Sequence, residues 1–184
     1  LPCTSPIDSI DGALLQARVM ANDLNFTNVD SWTAWVGVND IGRDGEGREF
    51  SDGLLVATDG NISDIKIPMR YYAVAHYSKF IPVGSVKVET EKNIYDMVWE
   101  KDWEGNITGA NFVTNVVSYL TPDGKVVTVI TNEGEDGALK VKVDRKNMTV
   151  YTTTQEKQMQ ETYSGKKTKI VLPENSITTI VFEK

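Results

Sequence analysis

The stretch that decides the fold is residues 70–85, which read RYYAVAHYSKFIPVGS. Side chains that suit a buried stripe recur at helical spacings of three and four, at Met69, Tyr72, Ala73, His76 and Phe80. Pro68 suits the first position of a helix, and Pro82 and Gly84 end it. We therefore expect a helix over residues 68–80 with this stripe buried.

Upstream of this stretch, helical and strand patterns alternate. Residues 7–24 carry an apolar face at spacings of three and four and predict an amphipathic helix, with Ser5 as its N-cap. Residues 30–38 are apolar on both faces and predict a buried parallel strand. The charged, glycine-rich loop 39–52 should be exposed and mobile, and residues 54–57 predict a further short strand.

From residue 85 onward, almost the whole sequence predicts strands. Turn signals such as Pro122-Asp123-Gly124 separate them. Short alternating strands at intervals of about 8 to 12 residues indicate an antiparallel β-sandwich. The candidate strands are residues 85–90, 93–99, 110–120, 125–132, 137–144, 148–154, 167–172 and 176–182.

Composition and charge argue against several classes of protein. The 184 residues carry a formal net charge of −7, and the 19 basic residues are scattered, which argues against nucleic acid as a partner. Cys3 is the single cysteine, so no intramolecular disulfide is expected. No apolar run approaches the roughly 18 residues of a transmembrane segment. No Cys/His cluster, phosphate-binding loop or dinucleotide fingerprint occurs, so we expect no metal and no cofactor.

The sequence contains four N-glycosylation sequons, at Asn25, Asn61, Asn106 and Asn147. They are compatible with glycans added in a eukaryotic secretory pathway, and equally with chance matches in a chain rich in Asn and Thr. A start at Leu1-Pro2 instead of Met favours processing or truncation. We expect a secreted, extracellular, periplasmic or lysosomal protein.

Residues 70–85 closely resemble the last barrel helix of family 30 glycoside hydrolases, where an aromatic-Ser-Lys-Phe-Ile-x-x-Gly run leads into a side β-domain. Three further stretches resemble the family in the same order. Residues 31–35 resemble its eighth barrel strand, residues 119–132 its Pro-Asp-Gly hairpin and residues 176–182 its closing strand. The family includes glucosylceramidases, endo-xylanases and endo-1,6-glucanases or galactanases.

The resemblance implies a fold class of α/β plus all-β. Residues 1–83 would be the last helices and eighth strand of a (β/α)8 barrel, and residues 84–184 an antiparallel β-sandwich side domain. A parallel strand needs parallel neighbours, so the first part is too small to stand alone. We expect it to require an upstream barrel portion or another protein chain, or to form a homo-oligomer through its open edges and apolar face.

The implied activity is hydrolysis of β-glycosides with retention, which uses two carboxyl groups about 5 Å apart. In the family these groups lie on the fourth and seventh barrel strands. The present sequence resembles the family only from about the seventh helix onward, so we expect no catalytic residue within it. Glu46, Glu49, Glu100 and Glu104 follow no barrel-strand pattern and are interpreted as solvated surface residues.

The resemblance also implies part of a sugar-binding wall. Trp35 corresponds to the inward aromatic residue at the mouth of the eighth strand, where the family lines the subsite next to the scissile bond. An aromatic face matches the C–H face of a sugar. Ordinary packing in the barrel core is the alternative. Asn39 and Asp40 follow at the strand end, where they could bond sugar hydroxyls or simply form a turn.

The tryptophans of the β-rich half and the single histidine each allow two interpretations. Trp99 and Trp103 could form a secondary carbohydrate platform with Tyr95 nearby, or seal the junction between sandwich and barrel, and we favour the junction. His76 is the single histidine, and on a buried helix stripe a hydrogen-bonded core residue is preferred over a proton carrier.

Three functions remain compatible with the sequence. The first is the C-terminal segment of a retaining β-glycoside hydrolase that acts on β-linked glycans or glycosides. The second is a free-standing carbohydrate-binding module. The third is a structural β-sandwich without a ligand.

Overall fold

The structure is a computed structural model that describes residues 6–27, 29–90, 97–101, 104–134, 139–142, 147–166 and 169–184. These residues form two helices and fifteen strands. Neither described helix is long and apolar enough to cross a membrane. In chain order the elements are α1 (Ile10–Phe26), β1 (Val38–Asp40), β2 (Gly42–Arg43), β3 (Glu49–Phe50), β4 (Leu55–Thr58), β5 (Asn61–Lys66), α2 (Met69–Ser78), β6 (Val86–Val88), β7 (Met97–Lys101), β8 (Ile107–Phe112), β9 (Thr114–Leu120), β10 (Val126–Asn132), β11 (Leu139–Lys142), β12 (Asn147–Thr153), β13 (Gln160–Lys166), β14 (Lys169–Leu172) and β15 (Ser176–Phe182).

Helix α1 confirms the first predicted helix but begins at Ile10 rather than at residue 7. Ser9 is its N-cap, and the Ser9 hydroxyl accepts a hydrogen bond from the amide of Asp11 at 3.2 Å. The predicted cap, Ser5, lies outside the described residues. The predicted apolar face is buried at five positions and half-buried at the sixth; these are Ile7, Ile10, Leu14, Ala17 and Ala21, and then Leu24.

Helix α2 confirms the second predicted helix, with Pro68 as its N-cap rather than its first residue. Its stripe faces the core: Met69, Ala73, His76 and Tyr77 are buried, and Tyr72 and Phe80 are half-buried. After the helix, Gly84 adopts a φ of +87°, a conformation that favours glycine, as the chain turns toward β6.

The predicted buried strand over residues 30–38 is wrong. Residues 31–37 form no strand, and strand structure begins only at Val38, where β1 pairs in parallel with β4. Trp35 is 86% exposed, whereas Trp32 packs against the helices. A strand that is apolar on both faces needs strand neighbours along its edges. Here the contact with the neighbouring segment begins only at the end of this stretch, where the amides of Leu54 and Leu55 donate hydrogen bonds to the carbonyl oxygens of Val36 and Gly37 at 3.0 and 2.9 Å.

Residues 38–66 form a layer of short strands. The strands β1, β4 and β5 make a three-stranded sheet, in which β4 was predicted and β5 was not. The loop 39–52 is largely exposed, as expected, but it contains the β2–β3 hairpin. The Asp44 carboxylate accepts hydrogen bonds from the amides of Glu46 and Arg48 at 2.9 Å each, so the hairpin turn is ordered by its own side chain.

Beyond residue 85 the antiparallel prediction is confirmed. Six strands form one sheet in the order β13-β12-β15-β10-β9-β6. The predicted strand 110–120 is in fact two strands, because β8 ends at Phe112 and β9 begins at Thr114. Strand β13 was not predicted, and the first residues of the predicted strand 93–99 lie outside the described part of the chain.

Both faces of the six-stranded sheet are covered. Val129 and Ile177 project from one face and pack with α1 and α2. Because side chains along a strand alternate between its two faces, Ile130 and Ile180 project from the other face, where they pack with side chains of β14. Strands β10 and β15 are therefore buried along nearly their whole length. Among the described elements, the helices pack on one face of the central sheet and the small β11–β14 sheet packs on the other.

Helix α2 is fixed to the central sheet by His76. The ring nitrogens of this buried histidine lie 2.8 Å from the hydroxyl oxygens of Thr179 on β15 and of Thr153 on β12. One turn later, the Phe80 ring lies 4.7 Å from the ring of Tyr151 on β12. The motif that follows α2 thus joins the helix layer to the sheet.

Candidate functional site

The open side of the helix layer is marked by the exposed Trp35. Its indole borders a pocket of about 280 Å³. Trp35 is 86% exposed in this chain, and both interpretations, a sugar-binding wall and packing in the core of a complete barrel, stay predictions. An exposed indole offers a flat apolar face that matches a sugar ring. The remaining lining residues are Gln16, Trp32, Thr33, Ala34, Asp52, Leu54 and Arg70.

Asn39 and Asp40 lie on β1 and have different hydrogen-bond partners. The side-chain amide of Asn39 donates a hydrogen bond to the carboxylate of Asp52, which lines the Trp35 pocket. Asp40 Oδ1 accepts from the amides of Ile41 at 2.9 Å and Gly60 at 3.0 Å. Asp40 thus ties its own strand end to the β4–β5 turn, and a sugar contact by either residue stays a prediction.

The sequence did not predict the polar residues that line this pocket. Gln16 comes from α1 and Arg70 from α2, and both are buried. Gln16 is 3% exposed, and no hydrogen-bond partner for its Nε2 is found among the described residues. The helical spacing could have identified Gln16, because this residue follows Ala13 by three positions and so lies within the apolar stripe of α1. Nothing in the local sequence singled out Asp52.

The pocket combines one aromatic wall with groups of both hydrogen-bonding types. The Asp52 carboxylate accepts hydrogen bonds, and the side chains of Arg70 and Gln16 donate them. This arrangement suits the binding of a hydroxylated ring more than bond cleavage, because the lining contains a single carboxylate.

A second, larger hollow of about 850 Å³ lies where the helix layer meets β6 and β9. Trp32 lines it, and the indole Nε1 donates a hydrogen bond to Asp23 at 2.9 Å. Lys87 Nζ donates to the carbonyl oxygens of Leu24 and Asn25 at 2.8 and 3.0 Å, at the C-terminal end of α1. A cation there stabilises the negative end of the helix. The rest of the lining is mixed, with apolar side chains such as Met20 and Ile81 beside polar ones such as Asp30 and Ser78.

The glutamates considered as catalytic candidates do not form a carboxylate pair in the described residues. Glu46 and Glu104 are exposed, as expected, and the side chain of Glu100 lies outside the described ones. Glu49 is half-buried and pairs with Lys66 at 2.6 Å. The hydrogen bond from Lys66 lowers the pKa of Glu49, so this carboxyl stays ionised and is unsuited to the role of a general acid.

His76 is confirmed as a hydrogen-bonded core histidine. Burial lowers its pKa to about 3, so the ring is neutral at physiological pH. Both ring nitrogens face threonine hydroxyls, which leaves no position for a substrate. No group of three or more His, Cys, Asp or Glu side chains in the described segments is arranged to hold a metal ion.

Trp99 lies on the β7–β8 hairpin and is 58% exposed. It belongs to none of the three buried clusters of the described residues. The favoured role as a junction seal and the alternative role in a carbohydrate platform both stay predictions. Within the described chain, His76 and Phe80 connect the helix layer to the central sheet. Trp103 lies outside the described residues.

The β-rich part of the chain matches a known family. Residues 106–180 match the family described as "Glycosyl hydrolase family 30 beta sandwich domain". A protein of Caenorhabditis elegans named "Putative glucosylceramidase 1" is 28% identical over 124 residues, which are 65% of this chain and 20% of that protein.

Solved structures share the fold over nearly the whole chain. The catalytic domain of GH30 xylanase C from Talaromyces cellulolyticus has a TM-score of 0.66 at 17% identity, over 94% of this chain and 35% of its own. A GH30 endoxylanase from Clostridium papyrosolvens has a TM-score of 0.66 at 19% identity, over 98% and 40%. A conserved exported protein from Bacteroides fragilis has a TM-score of 0.68 at 24% identity, over 98% and 35%. This chain therefore spans two fifths or less of each of these proteins.

Proposed function

We propose that this chain, whose residues 106–180 form a glycosyl hydrolase family 30 β-sandwich domain, is the C-terminal segment of a retaining β-glycoside hydrolase. In this proposal residues 1–83 complete a (β/α)8 barrel, and residues 84–184 form its side domain. The catalytic carboxylates are supplied by a barrel portion outside these 184 residues. The substrates are β-linked glycans or glycosides.

The observation that carries the proposal is the extent of the fold likeness. The family match covers only part of the sandwich, but the likeness to the two xylanases covers 94% and 98% of this chain, helices included. The helices are also built into the same core as the sheet, since Ala17, Ala73 and Val117 belong to one buried cluster. A helix layer joined so closely to the sandwich supports one enzyme segment more than a separate module.

Trp35 is proposed as part of the wall of the sugar-binding cleft. Its exposed indole, the neighbouring Asp52 carboxylate and the Gln16 amide face one pocket. An aromatic face with a few convergent polar groups is the usual composition of a sugar site. The partner-free Nε2 of buried Gln16 supports a further contact on this side, because a buried donor without an acceptor costs about 1–3 kcal/mol.

The test compares hydrolysis by the 184-residue chain with hydrolysis by the polypeptide obtained when the reading frame is extended upstream. The substrates are chromogenic β-glucosides and β-xylosides, with soluble β-glucan and xylan as polymers. We expect turnover only by the extended polypeptide, and a lower kcat/KM for its Trp35→Ala variant. Turnover by the short chain alone, or an upstream frame that encodes no barrel, contradicts the proposal.

A second candidate, a carbohydrate-binding module, is favoured by one observation: the exposed Trp99 on a hairpin separate from the central sheet. This role is compatible with the first, because the hairpin and Trp35 belong to different sheets and loops.

A further inference from the structure

The β7–β8 hairpin is an excursion from the edge of the central sheet. Strands β6 and β9 are hydrogen-bonded neighbours, with Val86 opposite Leu120 and Val88 opposite Ser118. Antiparallel neighbours of this kind are usually joined by about 2 to 5 residues. Here the chain from residue 89 to residue 113 intervenes, and its described part forms a two-stranded sheet in which β7 and β8 pair only with each other. An insertion of this length in a compact domain is usually functional.

Several apolar residues share one face of this hairpin. Met97 lies opposite Phe112 and Trp99 lies opposite Ala110. Directly opposed residues project to the same side, as do residues two apart on one strand, so these four share a face. Met97 and Trp99 are exposed, and Ile107 near the turn is 62% exposed. The residue across from Trp99 is an alanine, and the indole is 58% exposed.

The acidic character of the sequence around the hairpin favours some ligands over others. Residues 91–104 contain five acidic residues and two lysines, and the whole chain carries a net charge of −7. Such a region repels anionic lipid surfaces and acidic polysaccharides. A neutral glycan meets no such repulsion, and its C–H faces fit the flat indole. At the turn, exposed Glu104 and Asn106 are hydrogen-bonded to each other at 3.3 Å and offer polar groups for sugar hydroxyls.

We propose that the β7–β8 hairpin is a second carbohydrate-binding platform, which holds a neutral β-glycan chain against Trp99 outside the Trp35 pocket. The hairpin tethers polymer to the side domain, and Met97 extends the apolar surface along the strand. This role needs no catalytic residue, so it stands whether or not the chain completes a barrel.

The experiment measures depletion of the purified chain from solution by insoluble β-glucan and insoluble xylan. We expect retention on at least one of these polymers, weakened about tenfold or more by Trp99→Ala, as for a central aromatic contact. Trp99→Phe should keep part of the affinity. The matched control is Ile62→Ala, which removes another exposed apolar side chain away from the hairpin and should leave affinity within about twofold. Thermal melting confirms that each variant is folded.

Three results would overturn the platform. The first is no retention on either polymer. The second is retention that Trp99→Ala leaves intact but Trp35→Ala abolishes, which would assign polymer binding to the pocket. The third is binding to phosphatidylcholine vesicles in place of glycans, lost in Trp99→Ala, which would make the hairpin a lipid anchor.

Discussion

At the residue scale, two buried polar side chains differ in whether the chain supplies their hydrogen-bond partners. His76 has a partner for each ring nitrogen, Thr179 and Thr153, and is satisfied within the chain. Gln16 is as deeply buried, yet its Nε2 has no partner among the described residues. The first is a structural connection between layers, and the second is a buried donor beside the Trp35 pocket for which the described residues supply no acceptor. Each leads to a measurable consequence.

His76 should make stability fall on acidification. Its pKa is about 3 in the folded chain, against an ordinary value of 6.5. Above pH 6.5 neither state is protonated, so the stabilisation is fully present. Below pH 6.5 only the unfolded state gains the proton, and stability falls by up to about 1.4 kcal/mol per pH unit until the folded pKa is reached. Urea unfolding between pH 7 and pH 4 measures this slope.

The matched variant is His76→Gln, which cannot titrate. It should be less stable at pH 7 by about 1–3 kcal/mol, because hydrogen bonds to Thr153 or Thr179 are lost. Its deficit relative to the wild type should shrink toward pH 4, whereas effects of the acidic residues cancel between the two proteins. A deficit that is constant with pH would show that His76 is not held neutral.

Gln16→Leu should stabilise the isolated chain by about 1 kcal/mol, because it removes a buried donor that lacks an acceptor. Gln16→Ala is the control, since it removes the same amide but leaves a cavity. Urea unfolding compares both with the wild type. If the leucine variant is destabilised as much as the alanine variant, the Gln16 amide is satisfied within the chain.

At the element scale, the central sheet determines the architecture because both of its faces are buried. Consecutive residues of β10 pack against different layers: Val129 packs against the helices and Ile130 packs against β14. Strand β15 repeats the arrangement with Ile177 and Ile180. The central strands therefore couple the helix layer to the small second sheet.

Paired substitutions on β10 should separate the two faces. Val129→Ala should increase hydrogen exchange at amides of α1 and α2, and Ile130→Ala should increase it at amides of β14. Ile130→Ala should cost about 2–5 kcal/mol in unfolding free energy, as for other buried isoleucines. Hydrogen-exchange mass spectrometry measures both patterns. Identical patterns in the two variants would mean that the layers open as one unit.

The sequence correctly predicted those elements whose own residues carry a clear apolar or β-branched pattern. Helix α2 has a complete apolar stripe, and β10 and β15 have alternating or continuous β-branched residues. Strand β13 reads QETYSGK and carries little apolar pattern, so its pairing with β12 depends on the sheet edge that is already present. The strand prediction over residues 31–37 was wrong for the opposite reason. The stretch has a strand-like pattern, but a parallel strand forms only beside neighbouring strands.

The candidate site was only partly predictable for the same reason. Trp35 was identified through the resemblance of residues 31–35, and its exposure agrees with a role in binding. Asp52 and Arg70 are distant in sequence from each other, and they line one pocket only in the folded chain. Trp99 was assigned to the junction because the family that the sequence resembles has a rigid interface between barrel and sandwich, and this assignment stays a prediction.

At the scale of the whole molecule, the chain is well packed on one side and open on the other. The central sheet is buried on both faces, whereas Trp35 and the hollow beside Trp32 face outward. The central sheet also ends in two edge strands, β6 and β13. Val86 on β6 and Leu120 on β9 lie side by side and are exposed. Open edges and apolar faces of this kind favour association.

The isolated chain should therefore self-associate at micromolar concentrations and above. Size-exclusion chromatography with light scattering measures the mass across a dilution series. Val86→Lys, on the short edge strand, should shift the equilibrium toward monomer by placing a charge at the open edge. A chain that stays monomeric throughout the series would show that these surfaces are compatible with solvent.

The most direct test of the enzyme proposal is a crystal structure of the polypeptide extended upstream. We expect residues 31–37 to acquire parallel strand neighbours, and Trp35 to line a cleft that contains two carboxyl groups about 5 Å apart. A structure in which residues 31–37 stay irregular and Trp35 faces away from any carboxylate pair would contradict the proposal.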